Sequence, residues 1–162
     1  MGGAIEGAAS TFLLVSAECV LAVRGGVLVQ LWQDQPTEEG VKLVRRAAQE
    51  SREPYQVVVV VVDDPAATPN PEARAELIEL SKFLAPAPTA VIYEGSGFGA
   101  AAVRGVALAV AAASGGPAVV KTVSSFDQAA LWLEQQIKVP GVEGLELFVG
   151  EMRRHGAASA EK

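Results

Sequence analysis

Two adjacent carboxylates, Asp63 and Asp64, are the first residues whose type and spacing can do chemistry. They close a run of six valines, Val57 to Val62, and Pro65 follows them. Open α/β sheets bind ligands just beyond the C-terminal ends of their strands, so acids there are placed for half of a cation site or for a polar ligand. A hard cation asks for more oxygen ligands at set spacing, and the next acid is Glu72. The plainer reading is a solvated strand end, with Asp64 ordering the turn. The second candidate is Gly95-Ser96-Gly97-Phe98-Gly99, a glycine-rich loop opening into a helix, where unpaired amides can hold an anion. A dinucleotide fingerprint belongs in the first βα unit, with an acid about twenty residues on. This loop comes later in the chain, the matching region reads Val119-Val120-Lys121, and no Gly-Lys-Ser/Thr run occurs. The plainer reading here is a turn that lets a small-residue helix sit close on a sheet.

The remaining reactive side chains narrow the chemistry. Cys19 is the only cysteine and lies in an apolar, strand-like stretch. It reads as a buried small side chain, because no histidine stands ready to activate it. His155 is the only histidine and lies close to the C-terminal residue. Ser-His-Asp and Cys-His catalysis and histidine-rich metal sites therefore have no support. Glu94 has no evident carboxylate partner for paired-acid chemistry. We expect no catalytic residues, no metal site and no cofactor.

The elements that must position these residues follow from pattern. Six consecutive β-branched residues form a strand, and an unbroken apolar run means both of its faces are covered. Phe12 to Val15 reads as a first strand or its lead-in. Cys19 to Val23 and Val27 to Trp32 flank Gly25-Gly26 and form an antiparallel hairpin. Thr37 caps a helix whose stripe is Val41, Val44 and Ala48. A helix begins at Pro71 or Glu72 and runs to about Leu84, and Thr89 to Tyr93 is a strand. An alanine-rich helix follows the glycine loop and stops near Ser114-Gly115-Gly116-Pro117. Val119 to Val123 is a strand, Ser124 or Ser125 caps a helix to Ile137, and a last helix runs from Val142 to about Arg153. The expectation is an α/β fold with about five strands: a mixed, mostly parallel sheet, an N-terminal antiparallel hairpin and four to five helices. Residues 11–154 form one domain, and residues 1–10 and 155–162 are flexible tails.

Composition agrees with this. The chain has 162 residues, half of them hydrophobic, and a formal net charge of −6. It can bury a full core, and its acidity argues against nucleic acid and anionic membrane surfaces as partners. The one long apolar stretch, Ala100 to Ala113, is interrupted by Arg104 and is too short to span a bilayer. Met1 to Ser10 lacks the marks of a signal peptide, and a lone thiol fits a reducing compartment, so the expected location is cytoplasmic.

The residues Val27-Leu28-Val29-Gln30-Leu31-Trp32 followed by Pro36-Thr37, the valine strand ending in Asp63, and Ala118 to Ile137 together lay out a leading hairpin, an early helix and three βα units. That order resembles the STAS domain, the family of sulfate-transporter cytoplasmic domains and anti-sigma-factor antagonists, over roughly residues 12 to 137. The chain looks like a divergent bacterial STAS-like (SpoIIAA-like) protein. The resemblance implies a small non-catalytic docking module with a protein partner. Antagonists in this family carry an Asp-Ser-Ser/Thr-Gly-like run after the central strand, whose hydroxyl is phosphorylated. Here that place holds Asp63-Asp64-Pro65, and the nearest hydroxyl is Thr68.

The alanine helix is apolar nearly all round. Ala101, Gly105, Ala109 and Ala113 recur every four residues and leave one smooth side, which can sit on the sheet or on the same helix of a second subunit. Leu145, Phe148, Val149 and Met152 make a further stripe. The alanine helix and the Ser125–Ile137 helix are expected to cover one side of the sheet and the two earlier helices the other. That leaves this stripe unplaced, so a homodimer through Ala101, Gly105 and Ala109 or through Leu145, Phe148 and Met152 is expected. The leading function is a STAS-like protein-interaction module. The alternative is a carrier of a small molecule or lipid, since STAS-like folds are similar to the CRAL-TRIO lipid-binding architecture; a pocket under the alanine helix would favour it. A third reading is an enzyme built on backbone amides and Asp63 or Asp64.

Overall fold

The computed structural model describes residues 9–113 and 120–160. Most of the N-terminal arm, the helix stop at Ser114-Gly115-Gly116-Pro117, Ala118, the strand residue Val119 and the last two residues lie outside the described residues. The elements in order are β1 (Ser10–Val15), β2 (Cys19–Arg24), β3 (Val27–Trp32), α1 (Glu38–Glu50), β4 (Val57–Val62), α2 (Pro71–Leu84), β5 (Thr89–Ile92), α3 (Phe98–Ala113), β6 (Val120–Val123), α4 (Phe126–Gln136) and α5 (Leu145–Ala160). Single 3-10 turns stand at Asp64–Ala66 and Pro140–Val142.

Local chemistry sets these bounds. Gly25 (φ 51°) and Gly26 (φ 85°) turn β2 into β3, a pair of left-handed residues that only glycine takes without strain. Thr37 caps α1 by accepting from the Gly40 N–H, and the Glu18 carboxylate accepts from the Thr37 N–H at 2.7 Å. Asn70 caps α2 with Pro71 at its first position, and Ser125 caps α4.

The strands form one six-stranded sheet in chain order, β1-β2-β3-β4-β5-β6. β1 to β3 form an antiparallel meander, and β3 to β6 are parallel. The fold is thus α/β with an antiparallel N-terminal start, as its pattern predicts, with six strands in place of about five because Ser10–Val15 pairs with β2, its register shifting between Phe12 and Leu14. The valine strand sits between β3 and β5.

The helices divide differently from the expectation. Parallel crossovers keep one hand. Because β3, β4, β5 and β6 advance in one direction, the crossing helices α1, α2 and α3 all lie on one face of the sheet. Val58 there packs with Val41, Val44 and Leu80, and Val103 of α3 packs beside Val60, Val62 and Val91. On the other face Val57, Val59 and Val61 meet Phe126, Ala129 and Leu133 of α4 and Leu145, Phe148, Val149 and Met152 of α5. The stripe expected to be unplaced is therefore core: Phe148 is 5% exposed and Met152 fully enclosed. Arg24 fastens this packing, donating from Nη1 to the carbonyls of Gly141 (2.9 Å) and Glu143 (2.8 Å) with its guanidinium 5.5 Å from the Phe148 ring. The last helix also runs on to Ala160, past Arg153.

Two further differences bear on function. Val60 and Val62 are only half-buried, so the valine run is covered fully on the α4–α5 side and incompletely on the other. On α3 the smooth side is turned outward: Ala101, Gly105 and Ala109 are exposed, and Val103 is the one buried residue of the helix.

Candidate functional site

Beyond the C-terminal ends of β4 and β5 lies a polar crevice of about 330 Å3. It is built where the backbone leaves each strand. Asp63 continues β4, its N–H donating to the Trp32 carbonyl at 2.9 Å, and Asp64 opens the 3-10 turn. Tyr93 continues β5, its N–H donating to the Val123 carbonyl at 3.1 Å, and Glu94, Gly95 and Ser96 lead to α3. Arg153 reaches in from α5.

Arg153, Asp63 and Asp64 each have a partner here. Arg153 donates to Asp63 as a fork, Nη2 to Oδ1 at 2.7 Å and Nε to Oδ2 at 3.4 Å. The hydrogen bond to Asp63 raises the Arg153 pKa above its ordinary value; burial opposes this, and the charges of Asp63, Glu94 and Glu146 add to it. The Tyr93 hydroxyl donates to the Asp64 carboxylate. That bond, then burial, then the Asp64 charge raise the Tyr93 pKa above its ordinary value.

Four of the residues singled out in the sequence, Asp63, Asp64, Gly95 and Ser96, come together in this crevice. Gly97 and Gly99 do not line it. Side-chain atoms at Gly95 or Gly99 would collide with Tyr93, so these two glycines make room for the tyrosine ring. Gly97 takes φ 68° in open space and turns the chain into α3. Tyr93 and Arg153 escaped the sequence reading. Tyr93 looks like one more strand residue, and Arg153 meets Asp63 across a separation of 90 residues that no local pattern carries.

The other reactive groups are placed away from it. Cys19 is buried, and its thiol pKa is raised well above the ordinary value, chiefly by burial. The His155 ring lies 4.4 Å from that of Phe12, with Nε2 4.0 Å from the Glu151 carboxylate. Among the described residues no group of three or more metal-ligating side chains is assembled, and no helix is long and apolar enough to cross a membrane.

A second cavity, apolar and of about 140 Å3, opens between α2 and α3 over the parallel strands. Val58, Val60 and Val62 form its floor, Leu77 and Leu80 one wall, and Val106 and Val110 the other. Gln30 of β3 also lines it and is 3% exposed, the one polar residue among the buried ones described. Its Oε1 accepts from the Trp32 indole Nε1 at 3.0 Å. The alternation of β3 shows one apolar face; that its other face is also enclosed, glutamine included, came only with the packing of α1 and α2.

Compared with known proteins, the chain matches no family model, no curated protein and no solved structure.

Proposed function

We propose that this chain is a non-catalytic regulatory module of STAS-like architecture that docks a protein partner in the cytoplasm and needs no cofactor. One observation carries the proposal. At the place where the resemblance puts a phosphoacceptor hydroxyl, Asp63 and Asp64 are held by Arg153 and Tyr93. A strand end whose carboxylates already have protein partners suits a platform with one fixed state. Thr68, the nearest hydroxyl, lies on the exposed connector, where its carbonyl accepts from Gln35. Two residues beyond Ser96 of the crevice, Phe98 is 81% exposed, the kind of aromatic that anchors an interface. The buried lone thiol agrees with a reducing compartment. The test is capture of the partner by crosslinking in the native cell, followed by affinity measurement on purified components. Phe98→Glu and Arg153→Glu should each weaken binding about tenfold or more at unchanged fold. Full affinity in both variants rejects the rim as the docking face.

Self-association through α3 belongs to the same proposal. Its outward side carries Ala101, Gly105, Ala109 and Leu108, the last 66% exposed, and among the described residues nothing outside the adjoining helix backbone lies within 4 Å of where a side chain at Gly105 would start. A smooth helix face of this kind suits close packing against its own copy across a two-fold axis.

A second reading, a carrier of a small apolar molecule, is favoured by the cleft between α2 and α3. Native mass spectrometry of freshly purified protein tests it. A bound small molecule released on unfolding supports the carrier, and a bare chain in every preparation rejects it.

A further inference from the structure

The cleft between α2 and α3 has two properties that together specify an occupant. Its volume of about 140 Å3 is close to that of an engineered apolar cavity of about 150 Å3 that stays dry and takes up benzene. No acidic or basic side chain lines it among the described residues, so a charged group placed there would go unpaired. The occupant is therefore small, mostly apolar and neutral.

The second property is the state of Gln30. An indole N–H can only donate, so the bond from Trp32 fixes which end of the Gln30 amide is oxygen and turns the NH2 group away from it. That NH2 group donates to no acceptor among the described residues, although the side chain is nearly wholly buried. The nitrogen is not sealed off, so this donor is open to an acceptor that enters the cleft it lines. Apart from the Trp32 indole, the other polar side chains of the lining are the hydroxyls of Ser81 and of Thr89, which donates to the Ala87 carbonyl at 3.1 Å, so the wall is mostly apolar.

We propose that this cleft binds an uncharged aromatic or short-chain molecule bearing one carbonyl-type oxygen, and that the Gln30 NH2 group donates to that oxygen. The proposal rests on the carrier reading and adds to it the chemistry that the site selects. The half-buried side chains of Val60 and Val62 become the contact floor for the apolar part, and α3, whose one buried residue is Val103, forms the outer wall. Gln30 sets specificity: a hydrocarbon of the same shape leaves its donor unmet, and the ketone satisfies it.

The experiment compares two probes of nearly one shape, acetophenone and α-methylstyrene, which differ in C=O against C=CH2. Binding is read from Trp32 fluorescence in a Trp132→Phe background, because Trp32 lines the cleft. The protein should bind acetophenone about tenfold tighter, a difference of about 1.4 kcal/mol. Gln30→Leu should bring the ratio close to one while leaving α-methylstyrene bound. Val106→Phe, which fills the cleft from α3, should remove both probes. Equal affinity for the two probes in the unmodified chain overturns the role of Gln30 and leaves the carrier reading standing. A ketone preference that survives in Gln30→Leu also overturns it. No binding of either probe overturns both.

Discussion

Tyr93 ties the crevice to pH. Its hydroxyl proton is held more tightly in the folded chain, through the bond to Asp64, than in the unfolded one, where the pKa is about 10. A group whose folded pKa is raised contributes stability that is complete below the unfolded value and is lost as pH rises through the folded one. The unmodified chain should therefore be more thermally stable than Tyr93→Phe at neutral pH, and the gap should narrow as pH climbs past about 10. Thermal melts of both proteins from neutral to strongly alkaline pH check this; a gap independent of pH would mean that Asp64 does not hold the proton. Two valines one position apart give a second residue-scale outcome. Val59 is wholly buried against α4 and α5, whereas Val60 opens on the cleft. Val59→Asp should cost several kcal/mol, on the order of the whole stability of a small domain, and Val60→Asp much less. Urea denaturation of the two variants separates them. At this scale the sequence located Asp63, Asp64, Gly95 and Ser96 correctly at a strand end, because strand ends are local features. It missed Tyr93, Arg153 and Gln30, whose roles arise from partners brought in by tertiary packing.

Caps made most elements readable. Thr37, Pro71 and Ser125 each stand at or next to a helix start as their chemistry dictates. The exception is α5, expected to end near Arg153, whereas Gly156 beyond it is a helical residue. Its missing side chain leaves space that the Gln33 amide fills, so that glycine marks a packing contact across the fold. Gly141 is the sharper case. A side chain there would run into the backbone carbonyl of Arg24, while its own N–H donates to the Gly25 carbonyl at 2.7 Å. Pro140-Gly141 looks like a simple break in the sequence, yet it docks the start of α5 on the β2–β3 turn. Gly141→Ala should lower stability by about 2 kcal/mol or more, since the neighbouring atoms are backbone and cannot step aside. Equilibrium unfolding checks this; a loss below about 0.5 kcal/mol would show that the turn and the 3-10 segment can separate freely.

For the whole molecule, the distribution of helices decides which surfaces are free. Periodicity predicts enough helices to cover both faces, but which helix covers which face depends on strand order, and strand order is not written in periodicity. Once the strands run in chain order, the one-handed crossovers place α1, α2 and α3 together and reserve the other face for α4 and α5. Phe148→Glu should now unfold the protein, since it puts a charge into the core, and Ala109→Arg should leave the fold intact and shift the chain from twice its monomer mass toward monomer. Sedimentation equilibrium on both variants reads this; a monomer before any substitution would remove α3 as a contact between copies. The same strand order also governs how the chain assembles as it is made. Each strand pairs with the one synthesised just before it, so the sheet can grow from its N-terminal end by short-range steps. One wall of β2 and β3, with Val20, Ala22, Val27 and Val29, nevertheless waits for Val149 and Met152, which are made after every strand of the sheet. A nascent chain halted after α4 should carry a complete ladder of strands with that wall bare, and should be held by chaperones or precipitate until α5 arrives.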